Sequence, residues 1–170
     1  MMIGITGTPG TGKSSIAEEL RKRGYNVVAL TSTIEPYIIE KDRERDTLVI
    51  DEERWAREFP NLEGYVEGHL AHLLTCDRIV ILRCRPDVLA SRLRNRGYSE
   101  EKVLENVEAE ACDVILIETL EAYHDSQVLE IDTTNQDIPM CAGVIEKFSR
   151  GEIAPSFGST DWSDFLGVSV

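Results

Sequence analysis

The first residues along this chain that could carry out chemistry form a glycine-rich stretch close to residue 1. Residues 7–14 read GTPGTGKS and fit the pattern G-x-x-x-x-G-K-[ST]. In such a loop the backbone N–H groups turn inward to bind an anion, and the helix that follows adds the partial positive charge of its N-terminus. The pattern therefore predicts a site for nucleotide phosphates formed by Gly10, Thr11, Gly12, Lys13, Ser14 and Ser15.

Two side chains of this loop have the chemistry that a nucleoside triphosphate requires. The Lys13 ammonium is expected to reach the β- and γ-phosphates, and the Ser14 hydroxyl to take a coordination position on Mg²⁺. The apolar residues 2–6 before the loop suit a buried strand, and residues 16–23 after it are predicted to be helical. The alternative is a glycine-rich turn that only caps a helix, but the complete pattern in this context favours a nucleotide site.

A nucleotide site of this kind usually has an acid at the end of a buried strand, which holds Mg²⁺ through water or orients the nucleophile. Asp51 follows the apolar residues 48–50, which is the better pattern of a strand followed by an acid. Glu67 ends a poorer strand candidate but lies where a second central strand is expected. The pattern alone favours Asp51, although Asp51 also fits the N-cap of a helix that opens with Glu52 and Glu53.

Three arginines lie close together ahead of Gly97, namely Arg92, Arg94 and Arg96. Arginine gives permanent, bidentate stabilisation to the charge that develops on a transferring phosphoryl group. Arg92 and Arg96 are four residues apart and are therefore predicted to share a helix face. The alternative is an exposed helix whose arginines pair with nearby acids, Glu100, Glu101 or Glu105.

The elements that must position these residues alternate along the chain. Strands are predicted at residues 25–30, 62–68, 78–84 and 127–132, and helices at 34–41, 51–59, 69–75, 86–96, 99–120 and 138–148. Alternating strands and helices predict an α/β fold with a mostly parallel sheet and right-handed crossovers. The long helix at 99–120 has a core-facing stripe at steps of three or four: Val103, Val107, Ala111, Val114, Ile117 and Leu120.

Composition and charge indicate one soluble domain. The 170 residues are 42% hydrophobic and 29% charged, and the formal net charge is −13. This charge argues against general binding of nucleic acid, which needs a clustered basic face. It permits a basic protein partner, and a solvated acidic surface without such a partner is the alternative.

The four cysteines show no C-x-x-C spacing: Cys76, Cys84, Cys112 and Cys141. No signal peptide precedes them, and the first apolar run is too short for a membrane segment. We therefore expect a reduced, cytoplasmic protein without a membrane anchor. Residues 151–170 differ in composition and are expected to form a tail anchored by Trp162, Phe165 and Leu166, either on its own domain or on a partner.

Three stretches together resemble one family. They are the loop at residues 7–14, the pair Glu67-x-His69, and residues 92–102 with the sequence RLRNRGYSEEK. The combination is similar to the small adenylate kinase-like P-loop NTPases, which include the nuclear coilin-interacting form of eukaryotes and its archaeal relatives. The resemblance covers residues 2–148.

The resemblance implies a three-layer nucleoside monophosphate kinase-like fold over residues 1–150. It places a monophosphate-binding insert at about 30–51 and a lid at about 95–105. The family carries Asp-x-His where this chain has Glu67 and His69, so the resemblance implies that Glu67 serves the metal through water. Glu67 is one methylene longer than the family's aspartate, which changes its reach.

The resemblance also implies roles for His69 and the arginines. His69 is implied to orient a group or relay a proton, whereas from the residues alone it could equally be a histidine at the start of a helix. Arg92 and Arg96 are implied to be catalytic, with Arg96 also in contact with ATP. Residues 133–137 lie where such folds contact adenine, and the lack of an N-K-x-D motif speaks against a GTPase.

The activity that follows from the resemblance is transfer of the γ-phosphoryl group of Mg·ATP to AMP, with ATPase activity beside it. The alternative is an ATPase that assists small ribosomal subunit assembly and rRNA maturation by binding a basic ribosomal protein. An acidic surface would suit such a partner. A kinase for another small metabolite is a third interpretation, because the fold alone does not fix the substrate.

Overall fold

The computed structural model describes residues 1–42, 47–135 and 137–168. Its strands are β1 (Met2–Thr6), β2 (Val27–Ala29), β3 (Ile38–Asp42), β4 (Thr47–Ile50), β5 (Gly64–Glu67), β6 (Arg78–Arg83) and β7 (Val128–Asp132). Its α-helices are α1 (Lys13–Lys22), α2 (Glu52–Glu58), α3 (Pro86–Asn95), α4 (Glu100–Ala111), α5 (Val114–Ala122) and α6 (Ile138–Ser149). None of these helices is long and apolar enough to cross a membrane.

The main sheet is centred on β1. Within the described residues it has five strands in the order β2-β5-β1-β6-β7, and every pairing is parallel. The strands β2 and β5 lie on one side of β1, and β6 and β7, which come later in the chain, lie on the other side. The strand order therefore changes direction at β1. A crevice at the carboxyl ends of the strands is expected at such a switch point, and the loop at residues 7–12 lies there.

Helices cover both faces of this sheet. Successive β6 side chains alternate, so Ile79 and Ile81 pack into one core whereas Val80 and Leu82 pack into the other. The first core also holds Trp55 of α2, and the second holds the buried residues of α1 and α6. A third cluster joins α3 to α4. The predicted three-layer α/β fold is confirmed.

The helix predicted at residues 34–41 is wrong. A short 3₁₀ turn at Glu35–Tyr37 is followed by β3, which pairs with β4 as an antiparallel hairpin outside the main sheet. The β-branched side chains of Ile38 and Ile39 suit a strand better than a helix. Arg43 and Arg45, which fall within the insert expected at about 30–51, lie outside the described residues.

The single helix predicted at residues 99–120 is also wrong, because α4 ends at Ala111 and α5 begins at Val114. Asp113 between them has a left-handed backbone with φ of 55°. Its carboxylate forms an ion pair with the Arg83 guanidinium. Aspartate tolerates this conformation better than most residues, and the ion pair adds a tertiary reason for the break.

The tail lies against its own domain. The Ser156 amide donates to the Val128 carbonyl at 3.2 Å, and the Ser156 carbonyl accepts from the Glu130 amide at 2.8 Å. The tail thereby forms a parallel bridge at the outer edge of β7. Trp162 and Phe165 are half-buried with their ring centroids 6.4 Å apart, whereas Leu166 is exposed.

Candidate active site

The loop between β1 and α1 has backbone geometry that glycine makes possible. Gly7 has φ of 139°, and a Cβ there would lie 2.4 Å from the Leu82 carbonyl oxygen. Gly12 precedes α1 with φ of 105° and offers no capping side chain. The first amides of α1 therefore have no cap, and the helix N-terminus can receive an anion.

Lys13 is buried at the centre of this loop. Its Nζ donates to the Gly7 carbonyl at 2.6 Å and to the Thr8 carbonyl at 3.0 Å. Burial lowers the pKa of Lys13 to about 8, although the nearby carboxylates of Glu67 and Glu110 act in the opposite direction. The ammonium group is thus largely charged at neutral pH, as phosphate binding requires.

Glu67 lies at the end of a central strand beside the loop. It is opposite Ile5 of β1 in the parallel register, and the side chain is buried. The Glu67 carboxylate accepts no hydrogen bond from the described part of the chain. Ser14 is exposed at the start of α1. A carboxylate and a hydroxyl are hard oxygen donors, so this donor set fits Mg²⁺.

Asp51 is positioned for a different purpose. Its carboxylate accepts the Arg54 amide at 3.0 Å and caps α2. The apolar residues 48–50 before it belong to the hairpin rather than to the main sheet. The preference for Asp51 from the pattern depended on a central strand that these residues do not form. The N-cap interpretation of Asp51 is confirmed.

His69 and His72 have different surroundings. His69 is exposed in part, yet the enclosing protein and the neighbouring Lys13 charge lower its pKa to about 4. Its ring is therefore neutral near pH 7. His72 is buried, with Nδ1 3.1 Å from Thr6 Oγ1 and Nε2 2.9 Å from a Glu118 carboxylate oxygen. His72 ties α5 to the end of β1.

The three arginines separate into two groups. The Arg92 guanidinium donates to the Thr133 carbonyl at 2.9 Å and to the Thr134 carbonyl at 3.3 Å, fastening α3 to the segment after β7. Arg96 is exposed just after the end of α3 and lines the same cleft as Arg92, so the two side chains meet at one cleft although Arg96 lies outside the helix. Arg94 pairs with Glu100 at 2.9 Å, as the alternative interpretation expected.

Two cavities open at the carboxyl ends of the strands of the main sheet. A cleft of about 430 Å³ lies on the β6 side of β1. It is lined by Gly10, Thr11, Gly12, Ser15, Arg92, Asn95, Arg96, Thr133 and Ile138. A more apolar cavity of about 170 Å³ lies on the β5 side. It is lined by Leu30, Thr31, Ile34, Leu48, Ile50, Glu52, Trp55, Gly68, His69 and Leu70.

The segment predicted to contact adenine contributes to the first of these cavities. Thr133 and Ile138 lie in its wall. Gln136, in the middle of the predicted stretch, lies outside the described residues. An adenine contact by residues 133–137 stays a prediction.

Sequence reasoning missed a buried charged network behind the loop. Arg83 is 2% exposed and donates to carboxylate oxygens of Glu110 at 2.8 Å and Glu130 at 2.7 Å. Glu110 also accepts the hydroxyl of Thr8 in the loop at 2.5 Å. One signal was available, because Glu110 lies three residues after Val107 on the core-facing stripe of its helix.

Comparison with known proteins places these features in a family. The chain matches the AAA domain family over residues 3–113. It is 50% identical over 152 residues to a protein of Archaeoglobus fulgidus named "Putative adenylate kinase", covering 89% of this chain and 84% of that protein. A protein of the same name from Methanothermobacter thermautotrophicus is 41% identical over 170 residues, covering 97% of this chain and 99% of that protein.

Solved structures share the fold at low sequence identity. A shikimate kinase from Bacteroides thetaiotaomicron has a TM-score of 0.60 at 19% identity, covering 88% of this chain and 98% of that chain. A deoxyadenosine kinase from M. mycoides with bound dATP has a TM-score of 0.56 at 18% identity, covering 88% of this chain and 99% of that chain. The chain belongs to the AAA domain family and, within it, to the adenylate kinase-like P-loop NTPases.

Proposed function

We propose that this protein is a nucleoside monophosphate kinase that transfers the γ-phosphoryl group of ATP to AMP, forming two molecules of ADP. The observation that carries the proposal is the pair of cavities on opposite sides of β1, with the loop and Lys13 between them. A phosphoryl donor in one cavity and an acceptor in the other would meet at the loop. The names of the archaeal relatives support the same reaction.

The larger cleft is the proposed site of ATP. Residues 10–15 would bind the phosphates through backbone N–H groups and the Lys13 ammonium. Arg96 in the cleft wall would stabilise the charge that develops on the transferring group, while Arg92 would act mainly by holding the cleft wall in place through its hydrogen bonds to Thr133 and Thr134. The base would lie toward Thr133 and Ile138.

The apolar cavity is the proposed site of the acceptor. Leu30, Ile34 and Trp55 give it walls that suit a purine ring, and Thr31 and Glu52 offer polar atoms for the base edges. His69 lies in its wall toward Lys13, where a neutral imidazole can orient the acceptor phosphate without adding charge. The hairpin β3–β4, which supplies Leu48 and Ile50 to this cavity, would act as part of the proposed monophosphate-binding insert.

The oxygen donors beside the loop are proposed to hold Mg²⁺. Ser14 would contribute its hydroxyl directly, and Glu67 would act through a water molecule. When bound, the ion would neutralise negative charge on the phosphate oxygens. Glu67 and Lys13 interact electrostatically, so the carboxylate also favours the charged form of the lysine.

An acceptor panel tests the proposal. The purified protein is incubated with Mg·ATP and one of AMP, CMP, GMP, UMP or shikimate, and ADP is measured. We expect AMP to stimulate ADP formation strongly and to be converted to ADP itself. A preference for another acceptor would reject the AMP assignment, and a response only to shikimate would indicate a metabolite kinase.

The same assay without an acceptor distinguishes the ATPase interpretation. Release of inorganic phosphate that AMP does not alter would contradict the kinase proposal. It would favour the assembly ATPase of the small ribosomal subunit that the family resemblance also implies. Phosphate release that falls when AMP is added would support the kinase, because acceptor and water would then compete for one phosphoryl group.

A further inference from the structure

Thr8 lies in the phosphate loop, residues 7–14, and its backbone carbonyl accepts several of the hydrogen bonds within that loop. Its carbonyl oxygen accepts the Lys13 ammonium at 3.0 Å, the Thr11 amide at 3.2 Å and the Thr11 hydroxyl at 2.9 Å. The residue is 2% exposed. The Thr8 peptide group therefore helps to position Thr11 and, together with the Gly7 carbonyl, Lys13.

The Thr8 side chain is held by an acid from a distant helix. Its hydroxyl donates to one carboxylate oxygen of Glu110 in α4, 102 residues away, at 2.5 Å. The other Glu110 oxygen accepts the Arg83 guanidinium at 2.8 Å and the Cys84 amide at 3.0 Å. Glu110 is itself only 3% exposed. Its carboxylate is therefore held in place by these protein donors.

Burying the Glu110 carboxylate costs free energy, and packing alone does not explain why an acid lies at this position. A carboxylate buried at this depth is unfavourable unless it is paired and hydrogen-bonded. Three donors converge on its two oxygens, and one of them belongs to the phosphate loop. A glutamine would offer one acceptor oxygen and an NH₂ group that faces at least one of the same donors.

We propose that Glu110 is a positioning residue for phosphate binding, which acts by holding the Thr8 hydroxyl so that the loop is pre-formed for the nucleotide. The inference rests on the proposed function and adds to it a residue outside the loop. Arg83 at the end of β6 completes the arrangement, since it anchors the acid to the sheet. Pre-formation of the loop lowers the ordering cost of binding, and its loss appears as weaker nucleotide affinity.

The test measures Mg·ADP binding by calorimetry on the full chain. Thr8→Val removes the hydroxyl at nearly constant volume and leaves the Arg83–Glu110 ion pair intact, and we expect affinity to fall about tenfold. Thr8→Ser keeps the hydroxyl and should bind within about twofold of wild type. Thr119→Val is the matched control, because Thr119 is a fully buried threonine of α5 whose hydroxyl bonds to Ile115.

A double-mutant cycle separates positioning from independent effects. If the Thr8 hydroxyl acts through its hydrogen bond to the Glu110 carboxylate, Thr8→Val should cause little further loss of affinity once residue 110 is already glutamine. The double variant should therefore bind Mg·ADP about as weakly as Glu110→Gln alone. In the ADP-forming assay, Thr8→Val should raise KM for ATP while KM for AMP stays unchanged, which a general loss of structure would not produce.

Several outcomes would overturn the inference. These are wild-type affinity in Thr8→Val, equal losses in Thr8→Ser and Thr8→Val, or fully additive losses in the double variant. If Glu110→Gln does not fold, the three threonine variants decide the question by themselves. Wild-type protein that fails to bind Mg·ADP would reject the proposed function, whereas failure of the inference alone leaves wild-type binding intact.

Discussion

At the scale of single residues, the site brings opposite charges together in a buried place. The Lys13 ammonium lies near the carboxylates of Glu67 and Glu110, which oppose the effect of burial on its pKa. Only Glu67 is at the end of a strand next to β1, and its carboxylate accepts no hydrogen bond from the described residues. An acid that the protein does not use for its own hydrogen bonds is suited to a ligand.

Replacing Glu67 tests this assignment. Glu67→Gln should lower kcat by roughly 10²-fold with little change in stability, because the amide cannot hold metal-bound water as a carboxylate does. Asp51→Asn is the matched control, since asparagine caps a helix as well as aspartate. Steady-state kinetics at several Mg²⁺ concentrations give the result. A larger loss in Asp51→Asn than in Glu67→Gln would reverse the assignment.

His72 gives a prediction about pH and stability. Burial lowers its pKa, despite the opposing effect of Glu118 and a weaker one of Glu52. As pH falls below the unfolded value of about 6.5, the unfolded chain takes up a proton before the folded protein does, so this contribution to stability is present above that pH and is lost below it. His72→Gln removes this proton uptake.

The difference in unfolding free energy between wild type and His72→Gln should therefore narrow as pH falls from about 7.5 to 5. Urea denaturation at a series of pH values measures the difference. If this difference in unfolding free energy stays constant or widens toward acid, the folded protein takes up the proton at least as readily as the unfolded chain, and the prediction is wrong.

At the scale of elements, what is local could be predicted from the sequence, and what depends on tertiary contacts could not. The loop and its flanking strand and helix follow from a contiguous pattern, and β6 from a continuous apolar run that parallel strands require. The hairpin was missed because Ile39 is 68% exposed, so its apolar residues do not mark a buried face. The break at Asp113 is accompanied by an ion pair with Arg83, 30 residues away, which the local sequence does not reveal.

Gly7 lies where β1 passes into the loop, and we predict that this position requires glycine. Gly7→Ala should cost roughly 2–4 kcal/mol of stability and abolish nucleotide binding, because the new methyl would meet the Leu82 carbonyl at 2.4 Å in a strained backbone with φ of 139°. Gly24→Ala is the control, since Gly24 has φ of 92° with nothing within 4 Å of the new Cβ. It should cost about 1–2 kcal/mol.

Thermal or urea denaturation and calorimetry with Mg·ADP compare these two variants. Equal losses of stability would mean that backbone strain alone, and not the close approach to β6, makes glycine necessary at residue 7. Retained nucleotide binding in Gly7→Ala would mean that the loop tolerates a displaced first residue.

At the scale of the whole molecule, the C-terminal tail and the phosphate loop are both linked by hydrogen bonds to carboxylates that pair with the buried Arg83 guanidinium. Glu130 accepts the Gly158 amide at 2.8 Å and the Ser159 amide at 3.2 Å, and its other oxygen accepts the Arg83 guanidinium. Arg83 in turn holds Glu110. The composition of the tail suggested anchoring by aromatic residues, but its backbone amides could not be recognised as anchors from the sequence.

Truncation of the tail tests its contribution. A chain ending at Ala154 loses the bridge at Ser156 and both amides on Glu130, and this should cost roughly 2–4 kcal/mol and lower Tm by about 5–10 °C. A chain ending at Leu166 keeps all of these contacts and should differ little from the full chain. Equal Tm values for the two truncations would show that the tail does not stabilise the domain.

Binding of Mg·ATP to the wild-type protein and to Lys13→Ala tests the central claim most directly. Isothermal titration calorimetry should show one site in the wild type and a loss of at least 10²-fold in affinity in Lys13→Ala, with unchanged circular dichroism. Lys22→Ala is the control, because Lys22 is an exposed residue at the end of the same helix. No binding by the wild type, or equal binding by Lys13→Ala, would contradict a phosphate site at this loop.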